Sequence, residues 1–85
     1  MSVERMRILT PAEGHIEVDV SDPYERSLVG SYWNAVQHRL DTGTDDLLRG
    51  YAGVTIAGYP LEVDGHAIDR WAKQGEIDFE DIYAS

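Results

Sequence analysis

The sequence predicts a small α+β domain, with two β-hairpins, two main α-helices and short helical turns, from three observations. His15-Ile16-Glu17-Val18-Asp19-Val20 alternates strictly between polar and apolar residues, the period of a half-buried strand. Leu28, Val29, Tyr32, Trp33, Val36 and Leu40 recur at three- and four-residue spacing, the period of a helix with one broad apolar face. Val54-Thr55-Ile56 and Tyr59-Pro60-Leu61-Glu62-Val63 flank Ala57-Gly58, a pair suited to a two-residue hairpin loop.

The first hairpin is expected to join Arg5-Met6-Arg7-Ile8-Leu9 to residues 15–20 through the turn-forming Thr10-Pro11-Ala12-Glu13-Gly14. One register buries Met6, Ile8, Ile16, Val18 and Val20 together and sets Arg5 and Arg7 on the same outer face as Glu17 and Asp19. A helix follows from Pro23 to about Asp41, with Asp22 as cap, Pro23 in the first helical position and Glu25 where a capping-box acid belongs. Thr42-Gly43 ends it, glycine taking the left-handed cap cheaply.

Thr44-Asp45-Asp46 then opens a helix of at most two turns, closed by Gly50. In the second hairpin Ile56 faces Tyr59 and Val54 faces Leu61, so that Val54, Ile56, Tyr59, Leu61 and Val63 share a face, with Pro60 confined to an edge strand. Asp64 caps a further helix through Gln74, with Ala67, Ile68, Trp71 and Ala72 inward and Gly75 as terminator. Asp78 caps a last turn from Phe79 to Ala84. The 85 residues make one domain, an N-terminal hairpin (1–20) joined to a helix, hairpin and helix body (22–85).

Composition narrows the function classes. Cysteine is absent, which removes disulfides, thiol nucleophiles and thiolate zinc sites. No apolar run approaches the roughly 18 residues that span a bilayer, and no apolar signal stretch follows the N-terminus, so the cytoplasm is the expected compartment. Sixteen acids against seven bases give a net charge of -9, concentrated after Asp41, and such a surface repels phosphate backbones and anionic lipid. Direct nucleic-acid binding and membrane binding are not expected.

No catalytic set emerges. Asp64, His66 and Asp69 form the one local metal-ligand pattern, but helix capping by Asp64 with solvated first-turn neighbours is the favoured explanation of it. The paired acids Asp45-Asp46 and the series Glu76, Asp78, Glu80 and Asp81 lack the apolar pocket that would raise a carboxyl pKa. The glycines mark turns and helix ends, without a phosphate-binding loop. The chain is therefore expected to be non-enzymatic, with no cofactor and no metal.

Two tryptophans and five tyrosines exceed what so small a core obviously needs. Tyr32 and Trp33 are adjacent and diverge by about 100° on a helix, so one is expected to flank the core while the other reaches outward. Tyr24, Tyr32, Trp33, Tyr51 and Tyr83 are the expected interface residues, for a protein partner or a second copy in a homodimer. Asp41, Asp45, Asp46, Asp78, Glu80 and Asp81 are the expected acidic face, which supports an alternative: a nucleic-acid mimic that occupies the groove of a host DNA- or RNA-binding enzyme.

The stretches Ser27-Leu28-Val29-Gly30-Ser31-Tyr32-Trp33-Asn34-Ala35-Val36, Thr42-Gly43, Tyr51-Ala52-Gly53-Val54, Ile56-Ala57-Gly58-Tyr59 and Phe79-Glu80-Asp81-Ile82-Tyr83 carry a resemblance. Over about Ser21 to Tyr83 the chain resembles small uncharacterised proteins of actinobacteria and their phages. The resemblance implies a bacterial or phage cytoplasmic accessory protein and assigns no catalytic residue.

Overall fold

Strands β1 (Glu4–Thr10) and β2 (Gly14–Val20) pair antiparallel in the register that alternation requires: Met6 opposite Val18, Arg7 opposite Glu17, Ile8 opposite Ile16. The computed structural model describes residues 4–79. A single slip of register would turn every apolar residue outward, so burial of one face pins the pairing. Met6, Ile8 and Val20 are wholly buried and Val18 nearly so. Near the turn both faces are covered, since Leu9, of the opposite parity, is also wholly buried.

Helix α1 (Pro23–Thr42) starts where expected, with the Asp22 carboxylate accepting from the Tyr24 N–H at 2.9 Å. Gly43 closes it in the left-handed conformation, φ 79°, its N–H donating to the Arg39 carbonyl. Glu25 does not complete a capping box: its carboxylate accepts from the backbone N–H of Ala57 at 3.3 Å, tying the helix start to the second hairpin.

Helix α2 (Asp46–Arg49) is one turn long, and Thr44 Oγ1 accepts from the Asp46 N–H. Gly50 has helical φ, so the chain leaves α2 without a left-handed cap. Strands β3 (Thr55–Ile56) and β4 (Tyr59–Pro60) pair as expected, and the Leu61 N–H donates to the Val54 carbonyl to extend the match. Ala57 (φ 53°) and Gly58 (φ 85°) both adopt positive φ, the two-residue turn whose twist suits a hairpin.

Helix α3 (Gly65–Lys73) is capped by Asp64, which accepts from the His66 N–H at 3.0 Å. Its end is a Schellman turn: the Gly75 N–H donates to the Ala72 carbonyl and the Glu76 N–H to the Trp71 carbonyl. The expected last turn from Phe79 lies, beyond Phe79 itself, outside the described residues.

The core joins the hairpin, α1 and the segment from Leu48 to Ile68. Trp33 and Tyr32 anchor it from α1, the indole N–H donating to the Arg7 carbonyl and the phenol to the Glu62 carbonyl, both at 2.6 Å. Rings meet edge to face throughout: Tyr32 with Trp33 and Tyr51, Trp33 with His15 and Phe79. Among the described residues no helix is long and apolar enough to cross a membrane.

Candidate functional site

The alternation of β1 and β2 that buries one face necessarily lifts Arg5, Arg7, Glu17 and Asp19 onto the other. There they form a ladder of ion pairs: Arg5 Nε to Asp19 Oδ1 at 3.3 Å, Arg5 Nη1 to Glu17 Oε2 at 3.8 Å and Arg7 Nη2 to Glu17 Oε1 at 3.1 Å. The Glu25 bond to Ala57 holds the β3–β4 turn close by. Between them lies an open groove of about 430 Å³, lined by Arg5, Glu17, Val18, Asp19, Ala57 and Tyr59.

Tyr59 is 43 % exposed. Alternation sets it on one face with Ile56 and Leu61, but β3 and β4 are only two residues each, and of the three only Ile56 and Leu61 are buried. Its ring offers a cation an aromatic face, and the Glu17 and Asp19 carboxylates, already paired with Arg5, keep acceptor oxygens exposed beside it. From the pattern of the sequence Arg5, Glu17 and Asp19 have a purely structural part, and Tyr59 shares the apolar face of its hairpin. The signal available was the row of charges on the outer face, and nothing local showed that the second hairpin would wall it.

The residues expected at an interface are dispersed. The expectation that one of Tyr32 and Trp33 turns outward is corrected: Tyr32 is 0 % and Trp33 2 % exposed, because α1 is packed on more than one side. Burial, with the Glu62 charge second, raises the Tyr32 phenol above its ordinary range. Tyr51 is half-buried against Tyr32, Tyr24 is well exposed at the start of α1, and Tyr83 lies outside the described residues.

Of the expected acidic face, Asp41, Asp45 and Asp46 flank the turn between α1 and α2. Arg49 reaches Asp45 at 3.2 Å and Asp46 at 3.9 Å and offsets part of their charge. Asp78 is exposed near His15, and Glu80 and Asp81 lie outside the described residues. The Asp64, His66 and Asp69 pattern is spent on structure. Asp64 is the α3 cap, and Asp69 accepts from Arg39 at 2.8 Å, a bond that holds its carboxyl below the usual range. Among the described residues no group of three or more His, Asp or Glu stands where it could hold a metal ion.

At the other end of the hairpin His15 packs against Trp33, and Trp71 covers Gly14. Burial first, and the Arg7 charge second, lower the His15 pKa; Glu76 and Asp78 act the other way. His15 Nε2 and Trp71 Nε1 are buried without a hydrogen-bond partner among the described residues. No protein-family model, curated protein or solved structure matches the chain.

Proposed function

We propose that the chain is a small acidic protein-binding factor, a bacterial or phage accessory protein that acts by docking rather than by catalysis. The observation that carries this reading is the open groove between the hairpin and the β3–β4 turn, where Glu17, Asp19 and the half-exposed Tyr59 ring converge. Carboxylates and an aromatic face together favour a guanidinium or ammonium group, and the net charge of -9 steers a basic partner toward the surface. Arg5 pairs with both acids and orients them; Glu17 and Asp19 remain well exposed.

The test compares capture from a bacterial lysate by the full chain and by a triple variant, Glu17→Gln, Asp19→Asn and Tyr59→Ser, whose fold is checked by circular dichroism. A partner held by the first and lost by the second supports the reading, and its retention falls as salt rises. Identical capture profiles for the two chains overturn it.

A further inference from the structure

We propose that the outer edge of β2 is a docking strand, completed by an extended segment of a partner protein that carries Arg or Lys at alternate positions with apolar residues between. The inference rests on the groove reading above and specifies the partner's form.

The two edges of the hairpin are treated differently. In an antiparallel pair, residues alternate between those that bond across the pair and those whose N–H and C=O point away. The Arg7 carbonyl takes the Trp33 indole N–H and the Leu9 carbonyl takes the Glu62 backbone N–H, so Arg7 and Leu9 belong to the outward class. The register then assigns Glu17 and His15, their opposite residues, to that class on β2, and Asp19, opposite Arg5, follows by the two-residue period. The edge of β1 is thus covered at Arg7 and Leu9. Among the described residues no backbone hydrogen bond reaches the outward groups of His15, Glu17 or Asp19.

Exposed edges are usually blunted by charged side chains, proline or a bulge, and on β2 the charges are the acids Glu17 and Asp19, which repel another acidic chain and admit a basic one. Residues 14–20 contain neither proline nor lysine, and their pairing runs unbroken from Glu4 opposite Val20 to Thr10 opposite Gly14. The strand therefore offers a continuous row of hydrogen-bonding groups, the arrangement used in strand addition.

Charge selects the occupant. Glu17 and Asp19 have arginines on the β1 side, and among the described residues no ion pair reaches them from the other side, where a cationic side chain of a partner would sit. On the opposite face Ile16 is half-buried at the edge and suits an apolar residue between the cations. A second copy fits less well: pairing about Glu17 sets that carboxylate against itself, between two molecules of charge -9. The groove beside the strand, with Tyr59 on its wall, takes one of the incoming cations.

The experiment titrates the full ¹⁵N-labelled chain with a synthetic peptide alternating lysine and valine over about seven residues, the strand length that matches β2. A control peptide has the same side chains and N-methyl groups on alternate backbone amides, which removes its ladder donors. The expected result is shift changes centred on the amides of His15, Glu17 and Asp19, with the methylated peptide bound about tenfold more weakly or worse, as the loss of two or three ladder bonds requires. Equal binding of both peptides, with shifts confined to the groove, overturns the strand addition and leaves the groove reading standing. No saturable shift with either peptide overturns both. A free chain that sediments as a dimer with those three amides already protected from exchange makes the occupant a second copy and overturns the proposal.

Discussion

Trp33 on α1 caps the edge of β1, its indole N–H donating to the Arg7 carbonyl at 2.6 Å. One side chain thereby fills the core, fixes the helix on the hairpin and bonds a carbonyl of the strand. The bond joins residues 26 positions apart, so it forms only with the tertiary fold.

Trp33→Phe keeps the ring and deletes the donor. The Arg7 carbonyl then loses the indole as a donor, which costs ~1–3 kcal/mol, with a small cavity added. Urea unfolding should show a lower midpoint at unchanged slope. A variant as stable as the parent would mean that water replaces the indole at the strand edge.

Gly14 sits at φ 70° with the Trp71 ring over it, and a Cβ there would lie 3.1 Å from Cζ3. Gly14→Ala therefore combines left-handed strain of ~1–2 kcal/mol with displacement of the ring. Gly53 has φ 79° and nothing within 4 Å of the same position, so Gly53→Ala carries the strain alone. Thermal unfolding should place Gly14→Ala below Gly53→Ala by several degrees. Equal melting temperatures would show that Trp71 does not pack on the turn.

The first hairpin was legible because two signals agreed: the apolar alternation of Met6, Ile8, Val18 and Val20, and the charge pairing of Arg5 and Arg7 with Glu17 and Asp19. The caps at Asp22 and Asp64 and the stop at Gly43 were legible because each is a local contact within four residues. What was not legible depends on distant chain. Glu25 looks like a capping-box acid until Ala57, 32 residues on, takes its carboxylate. Tyr32 and Trp33 diverge on the helical wheel, and only the strand edge on one side and Glu62 on the other make both directions interior. The groove was hidden for the same reason, since its two walls come from different hairpins.

Arg39 on α1 holds Asp69 on α3 through two bonds, 2.8 and 3.4 Å, and gives a third to the Gly43 carbonyl. Gly65 makes room for it: a Cβ there would stand 2.8 Å from the guanidinium carbon. Gly65→Ala should push the flexible arginine off Asp69 rather than break the backbone. Its effect on stability and that of Asp69→Asn should then be less than additive in a double-mutant cycle. The lowered Asp69 pKa contributes stability present above about pH 3.8 and lost as pH falls through its native value. Gly65→Ala should flatten that acid limb, and an unchanged limb with additive effects would place Arg39 elsewhere in solution.

His15 supplies a separate pH dependence at higher pH. Its pKa is lowered by burial and by Arg7, against the opposing pull of Glu76 and Asp78, so the folded chain favours the neutral ring. The unfolded chain takes up a proton near pH 6.5, and the folded chain only below that. Stability is therefore fully present above about pH 6.5 and declines as pH falls toward the native value. The ring is only half-buried, so solvent screens part of the effect. The net charge of -9 makes the stability of the whole chain depend on pH through self-repulsion, so the comparison must be between variants. His15→Gln cannot take up the proton, and the stability difference between parent and variant should shrink between about pH 7 and pH 5. Parallel curves would show that the His15 ring is as hydrated in the fold as in the open chain, and that its contact with Trp33 does not desolvate it.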